Sequence, residues 1–208
     1  MTATPSVSTK PLIAIACGGT GGHLFPGLAV GDRLLLRGCD VLALVSPKEV
    51  DQTAVKAVMG VEVATLPAVG MTRRNLPAFL AGFWRSYRVS RRLFRDRPPQ
   101  AVLAMGGFTS APPILAGRAC GSATFLHESN TIPGKANRWV AHFVDQAFVG
   151  FPVAAGRLHH ANVLCTGTPV RPQFQPLDSI SCRVALGLAR ERPLVLVMGG
   201  QPGSFQHQ

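Results

Sequence analysis

"LIAIACGGTGGHLFPGLAV", residues 12–30, runs an apolar stretch into a loop with four glycines and then into a helical pattern that is expected to open at Pro26. Residues 12–17 show no polar/apolar alternation. That is the pattern of a strand buried on both faces, and such strands belong to parallel sheets covered by helices on each side. Working outward, further strands are expected over residues 40–45, 61–66, 101–104, 123–127, 146–149 and 162–165. Helices are expected between them over 26–37, 49–59, 77–95, 112–120 and 135–142. This alternation reads as an α/β fold, a Rossmann-like parallel sheet.

The chain has 208 residues, 47% of them hydrophobic, enough for one domain with a sizeable core and a fragment of another. Residues 166–179, broken by Pro169, Pro172 and Pro176, read as a linker. A helix is expected over 181–188. In "PLVLVMGGQPGSFQHQ", residues 193–208, the segment 194–198 reads as the first strand of a second α/β unit leading into another Gly-rich loop. The expected divisions are therefore a Rossmann-like domain over 11–166, a linker and helix over 167–193, and the start of a further domain over 194–208.

In an open parallel sheet, ligands bind at the carboxyl ends of the strands, where loops enter helix N-termini whose N–H groups and dipole favour anions. Gly18, Gly19, Gly21 and Gly22 lie in such a loop, with His23 beside them. The spacing is not G-x-G-x-x-G, because Leu24 stands where the third glycine belongs, and no G-K-[ST] follows. The second strand ends in "LALVSP", residues 42–47, without the acid that would hold a ribose. A plain dinucleotide site is disfavoured. The same design recurs in "MGGFTSAPP", residues 105–113, with Gly106, Gly107, Thr109 and Ser110, and in "HESNTIPGKANR", residues 127–138. Taken singly, His127 or Asn130 reads as a turn residue. Three polar loops at one sheet edge read as a cleft.

Other features bound the function. No stretch reaches the ~18–20 apolar residues of a membrane span. The polar start "MTATPSVSTK" lacks the apolar core of a signal peptide. Cys17, Cys39, Cys120, Cys165 and Cys182 are scattered, with no C-x-x-C, which suits reduced thiols in a cytosolic protein. No His/Cys/carboxylate cluster has metal-ligand spacing, so no metal or resident cofactor is expected. The net charge of +11 points to an anionic partner, and eight arginines fall within residues 73–97 against the single acid Asp96. There Leu76, Phe79, Leu80, Phe83, Trp84 and Tyr87 recur at helical spacing beside Arg85, Arg88, Arg91, Arg92 and Arg95. Two readings stand: a basic amphipathic helix that, with Arg73 and Arg74, meets an anionic membrane surface, or a core helix with a solvated arginine face. No groove-reading motif is present, and nucleic acid is not an expected partner.

The motifs "GGTGGHLFPGLAV", "MGGFTSAPP", "HESNTIPGKANR" and "TGTPVRP" (residues 166–172) stand in the order and at about the spacing of the MurG-type peptidoglycan N-acetylglucosaminyltransferases, and over residues 12–200 the chain resembles that family. The resemblance implies the GT-B fold, with this chain as the acceptor-binding N-terminal half plus the first strand of the C-terminal, donor-binding domain. It implies transfer of N-acetylglucosamine from UDP-N-acetylglucosamine to undecaprenyl-pyrophosphoryl-muramoyl-pentapeptide (lipid I), forming lipid II, by a peripheral protein on the cytoplasmic face of the membrane. The short chain alone is expected to be inactive.

By the same resemblance, Thr20, Gly21 and Gly22 lie beside the donor sugar and diphosphate, Asn130 contacts the sugar, and Arg171 meets the diphosphate. The loop residues Gly18, Gly19, Gly106, Gly107, Thr109 and Ser110 are expected to serve the acceptor. An inverting transfer needs a base for the acceptor hydroxyl; His23 is the candidate and Glu128 the rival. Two departures stand out: Ser129 replaces the glutamine of H-E-Q-N, and "GGQPGS" replaces G-G-S-Q-G-A, with Pro202 lacking an N–H. The alternatives are a related GT-B diacylglycerol glycosyltransferase, and a non-catalytic module that binds a lipid-linked ligand.

Overall fold

The computed structural model describes residues 10–19, 21–48, 55, 59–68, 70 and 75–197. Thr20, Arg73, Arg74, most of the helix expected over 49–59 and the loop from Gly199 to Ser204 lie outside them. Residues up to Pro172 form one compact unit and those from Gln173 a second.

The first unit is a seven-stranded, wholly parallel sheet. Its strands are β1 Leu12–Ala16, β2 Asp40–Val45, β3 Val61–Thr65, β4 Ala101–Ala104, β5 Ala123–Glu128, β6 Gln146–Val149 and β7 Val163–Cys165. Their order is β3-β2-β1-β4-β5-β6-β7. Ile15 pairs with Ala43 on one side and Leu103 on the other, so β1 sits at the centre. It is sequestered nearly throughout, as its unbroken apolar sequence requires. β3 and β7, at the two edges, are largely exposed. The order reverses between β1 and β4, where a doubly wound sheet opens its crevice.

The helices of this unit are α1 Gly21–Leu36, α2 Leu76–Asp96, α3 Ala111–Ala119, α4 Lys135–Val140 with a 3₁₀ turn Ala141–Phe143, and α5 Pro152–Leu158. α1 begins five residues before the expected Pro26. The proline deprives only the carbonyl of Gly22, an exposed residue whose oxygen water can reach, so the first turn survives it. Gly27 lets α1 lie close on the sheet, since a Cβ there would fall 2.5 Å from the Cβ of Cys17. It supplies the close helix–strand packing that the sequence pattern lacks at Leu24.

α2 carries features of both readings: a solvated arginine face over a buried line, and an exposed apolar group at its N-terminal end. Its buried line is Gly82, Ser86, Ser90 and Phe94, a four-residue repeat of mostly small side chains facing α3. Leu76, Leu80 and Trp84 are exposed, Leu80 at 56% and Trp84 at 58%. Phe79 and Phe83 are half-buried and continue through ring contacts to Trp139 and Phe143. Leu76, Leu80 and Trp84 therefore face outward while Phe83 and Tyr87 pack against the core, with Arg85, Arg88, Arg92 and Arg95 exposed along the same helix. Among the described residues, no helix is long and apolar enough to cross a membrane.

The second unit contains α6 Ser179–Ala185, capped by Asp178, whose carboxylate accepts from the backbone N–H of Ser181 at 2.7 Å. Hydrogen bonds from Ser181 hold that carboxyl below its usual range. The strand expected over 194–198 is not formed across its described residues. Leu194–Val197 are exposed and pair with no strand, because a lone strand among the described residues has no ladder to join.

Candidate active-site cleft at the carboxyl edge of the sheet

The loops after β1, β2, β4 and β5 meet at the carboxyl edge around the switch between β1 and β4. Two close approaches tie the first loop to its neighbours on either side. The Thr109 hydroxyl donates to the Gly18 carbonyl at 2.5 Å. Gly18 lies so near β2 that a Cβ on it would stand 2.2 Å from the backbone nitrogen of Ser46. Ser110 closes its own loop, donating to the Gly106 carbonyl at 2.6 Å and accepting from the Gly106 N–H at 3.0 Å. Both hydroxyls are fully buried. Thr109 and Ser110, expected among residues that serve the acceptor, are thus spent on holding the loops in shape.

His23, in the first turn of α1, lays its half-buried ring on the second loop. A Cβ on Gly106 would lie 2.9 Å from His23 Cε1, and one on Gly107 3.2 Å from its Cδ2. Both glycines have positive φ, +105° and +80°. Any side chain there would be strained and would displace the imidazole. The hypothetical Gly106 Cβ would also meet Asn137 Nδ2 at 2.9 Å, so the second loop is pinched between His23 and α4.

The third loop is organised by Glu128. Its carboxylate is fully buried and takes four hydrogen bonds. Oε1 accepts from the backbone N–H of Asn130 at 2.7 Å and from Asn130 Nδ2 at 2.9 Å. Oε2 accepts from the N–H of Gly134 at 3.1 Å and from Asn137 Nδ2 at 2.8 Å. Four donors fill the acceptor capacity of a carboxylate, and the group braces the loop. Asn130 is exposed, its side-chain amide turned to Glu128 by the same bonds.

His127 ties this loop to the segment at residues 166–172. Its Nε2 lies 2.9 Å from the Gly167 carbonyl and its Nδ1 3.3 Å from the Ser129 hydroxyl. A carbonyl can only accept, so Nε2 carries the proton and Nδ1 accepts from Ser129. Burial lowers the pKa of this ring, against the opposing pull of the Gly167 bond and the Glu128 charge. Ser129, in the place of the resembled family's glutamine, thereby keeps a role in orienting the imidazole. Further along, the Thr168 hydroxyl occupies the space a side chain on Gly150 would need. Arg171 is stacked 4.6 Å from the ring of Phe25, which lies one turn into α1. Arg171 is thus held against the same first turns of α1 that carry His23.

Lys48, just past β2, was not singled out by sequence reasoning. Its ammonium donates to the Gly19 carbonyl at 2.7 Å and stands 5.4 Å from the centre of the Phe108 ring. The signal was a basic residue at the strand end where a dinucleotide site carries an acid. Asn137 was also missed, and nothing in its helical context marks it. Among the described residues, no group of three or more His, Cys, Asp or Glu is arranged to hold a metal ion.

Residues 13–149 match the glycosyltransferase family 28 N-terminal domain. A UDP-N-acetylglucosamine–N-acetylmuramyl-(pentapeptide) pyrophosphoryl-undecaprenol N-acetylglucosamine transferase of Synechococcus sp. (strain CC9902) is 39% identical over 195 residues, 93% of this chain and 53% of that protein. The transferase of the same name from Yersinia pseudotuberculosis serotype O:1b is 36% identical over 203 residues, 96% and 54% of the two chains. The chain thus spans about half the length of the curated relatives it matches. Among solved structures, Acinetobacter baumannii MurG superposes with a TM-score of 0.69 at 23% identity, covering 88% of this chain and 50% of that one. A UDP-GlcNAc 2-epimerase from Neisseria meningitidis superposes with a TM-score of 0.59 at 10% identity, covering 76% and 47%.

Proposed function

The chain belongs to glycosyltransferase family 28, and on that footing we propose that residues 11–166 are the acceptor-holding half of an enzyme that moves N-acetylglucosamine from UDP-N-acetylglucosamine to a polyprenyl-pyrophosphoryl-muramoyl-pentapeptide. The relatives' names supply the substrates. The observation that carries the reading is the convergence of three polar loops on one carboxyl edge, with His23 laid on Gly106 and Gly107.

The chemistry follows from the residues that remain available there. Inverting transfer needs an acceptor hydroxyl relieved of its proton, a sugar carbon open to attack, and a diphosphate that leaves with its charge neutralised. Glu128 is saturated by four donors, so the base we assign is His23, histidine being the side chain most often used as a general base. The N–H groups opening α1, with Thr20, Gly21 and Gly22, and the guanidinium of Arg171 receive the diphosphate. Asn130, exposed at the rim, contacts the donor sugar. The sugar arrives already activated as its UDP ester, so the reading calls for no resident cofactor. The donor's uridine is assigned to the half of the relatives that this chain does not span, with 167–193 as linker and 194–208 as the beginning of that half.

The outward face of α2 supports a peripheral site on the cytoplasmic membrane surface. Leu76, Phe79, Leu80, Phe83 and Trp84 would enter the interface while Arg73, Arg74, Arg85 and Arg88 meet anionic headgroups. The test is binding of a lipid I analogue and of UDP-N-acetylglucosamine to the 208-residue chain, with sugar transfer followed in parallel. Acceptor binding without donor binding or turnover is expected. Robust turnover, or donor binding without acceptor binding, would overturn the proposal. In a chain carrying both halves of the fold, a His23→Ala variant with unchanged kcat would remove the base from that residue.

A further inference from the structure

The half of the sheet from β5 to β7 carries positive charge that the transfer chemistry above leaves unused. From Ser129 to Pro172, a run described throughout, the chain holds Lys135, Arg138, Arg157 and Arg171 but a single acid, Asp145. Asp145 precedes β6 at the amino edge, and its carboxylate already accepts from the N–H and hydroxyl of Thr124 at 2.7 and 3.0 Å. Lys135 and Arg138, three residues apart and both exposed, share one face of α4. Arg157, on the neighbouring α5, reaches back to the third loop, where its Nη1 donates to the Thr131 carbonyl at 3.2 Å. Among the described residues the ion pairs are those of Arg97 with Asp40 and Glu62, so no carboxylate there neutralises these three cations.

Two features set this surface apart from an ordinary solvated face. The Arg157 guanidinium is fixed to the loop by one of its five N–H donors and keeps the others for a ligand. Its anchor, Thr131, directly follows Asn130, the amide assigned to the donor sugar. Ile132, beside that anchor, and Phe151 and Val153, at the start of α5, are exposed apolar groups. An elongated ligand with apolar side chains and an anionic end would cover both the cations and these groups.

We propose that the peptide of the acceptor crosses the third loop, with Ile132 and Phe151 against its apolar side chains and its terminal carboxylate taken by Arg157 in the field of Lys135 and Arg138. The assignment rests on the acceptor-binding reading given above. A peptide joined to a muramoyl carboxyl through its amino end finishes in a free carboxylate, and a guanidinium fork matches that group. The reach is sufficient. β5 lies two strands from β1, about 10 Å across the sheet, whereas five extended residues span up to about 17 Å.

The experiment uses the 208-residue chain as wild type, as Arg157→Gln, and as Lys135→Gln with Arg138→Gln. Two lipid I analogues with a shortened prenyl chain are compared, identical except that the peptide ends in a free carboxylate in one and a primary amide in the other. The wild type is expected to favour the carboxylate by about fivefold, the scale of an ion pair at an exposed site, and by less as ionic strength rises. Arg157→Gln should erase that preference while binding the amide probe as the wild type does, and the double variant should reduce it. A wild type that binds both probes equally overturns the assignment and leaves the acceptor reading standing. An equal loss for both probes in Arg157→Gln also overturns it, and marks a brace of the third loop. A wild type that binds neither probe sinks the acceptor reading itself, and the assignment with it.

Discussion

Replacing Glu128 separates a brace from a base. The carboxylate is fully buried and holds four donors, of which only Asn137 Nδ2 belongs to a buried residue; Asn130 and Gly134 are exposed. In Glu128→Ala, Asn137 is stranded with an unmet buried donor, a cost of about 1–3 kcal/mol. The other three donors turn to water and lose roughly 0.5–1 kcal/mol each. The sum, about 2.5–6 kcal/mol, lies in the range of broken buried networks. For a chain of this size it lowers Tm by roughly 5–24 °C.

Glu128→Gln behaves differently because of a detail of Asn137. That residue's Oδ1 is buried and has no hydrogen-bond partner. If the new amide nitrogen takes the place of Oε2, Asn137 can flip and accept from it through Oδ1; the exposed N–H of Gly134 then turns to water, and Asn137 exchanges one unmet buried atom, Oδ1, for another, Nδ2. The expected cost falls to about 1–2 kcal/mol. Thermal unfolding of the two variants, with turnover measured in a chain carrying both halves of the fold, decides the matter. The brace predicts Glu128→Ala far less stable than Glu128→Gln, with Glu128→Gln retaining substantial turnover. A glutamine variant that is stable yet inactive would refute the reasoning and return Glu128 to the chemistry.

Three further expectations follow from single contacts. The buried His127 has its pKa lowered by burial, so the folded state resists a proton that the unfolded chain accepts near pH 6.5; its contribution is complete above that value and lost as pH falls towards the lowered pKa. Melting temperature should therefore decline below about pH 6.5 in wild type and decline less in His127→Gln, with equal slopes refuting the assignment. Leu80→Glu with Trp84→Glu removes two exposed apolar groups from α2, and should cut partitioning onto anionic vesicles by at least about tenfold with little change in Tm; unchanged partitioning would rule out that face. Gly18→Ala forces a Cβ against the backbone of Ser46 and should cost about 1–3 kcal/mol, whereas Gly156→Ala, in open space on α5, should stabilise by roughly 0.5–1 kcal/mol; equal Tm values for the two would contradict the packing.

The strands were legible because each interior one is apolar on both faces, a pattern that survives without knowledge of its neighbours; β2, β4 and β6 fall on the expected residues. Helix boundaries were less so. Pro26 reads as a helix start by its usual preference, yet α1 opens at Gly21 because the carbonyl it deprives is exposed. α5, only seven residues long, carries too little periodicity to be seen. The orientation of α2 was hidden for a physical reason: helical spacing marks both its aromatic face and its small-residue face, and only the close approach of α3 selects Gly82, Ser86 and Ser90 for burial. Lys48 depended on the sheet order, since what makes it notable is β2 lying beside β1.

The polar residues at the carboxyl edge fall into two groups by where their hydrogen bonds go. Thr109, Ser110, His127, Glu128 and Asn137 are buried and spend their bonds within and between the loops. His23, Lys48, Asn130 and Arg171 are half-buried or exposed, and the end of each side chain is placed by a contact with a loop or with the first turns of α1. A cleft built this way orders its loops during folding, so a ligand need not supply that ordering when it binds. The division has a mutational signature. Changes in the first group should lower stability and weaken every ligand together. Changes in the second should alter affinity for one ligand feature while leaving Tm nearly fixed. The sequence motifs do not make that distinction: Glu128 and Asn130 stand two residues apart in one motif, yet the buried carboxylate belongs to the first group and the exposed amide it orients to the second.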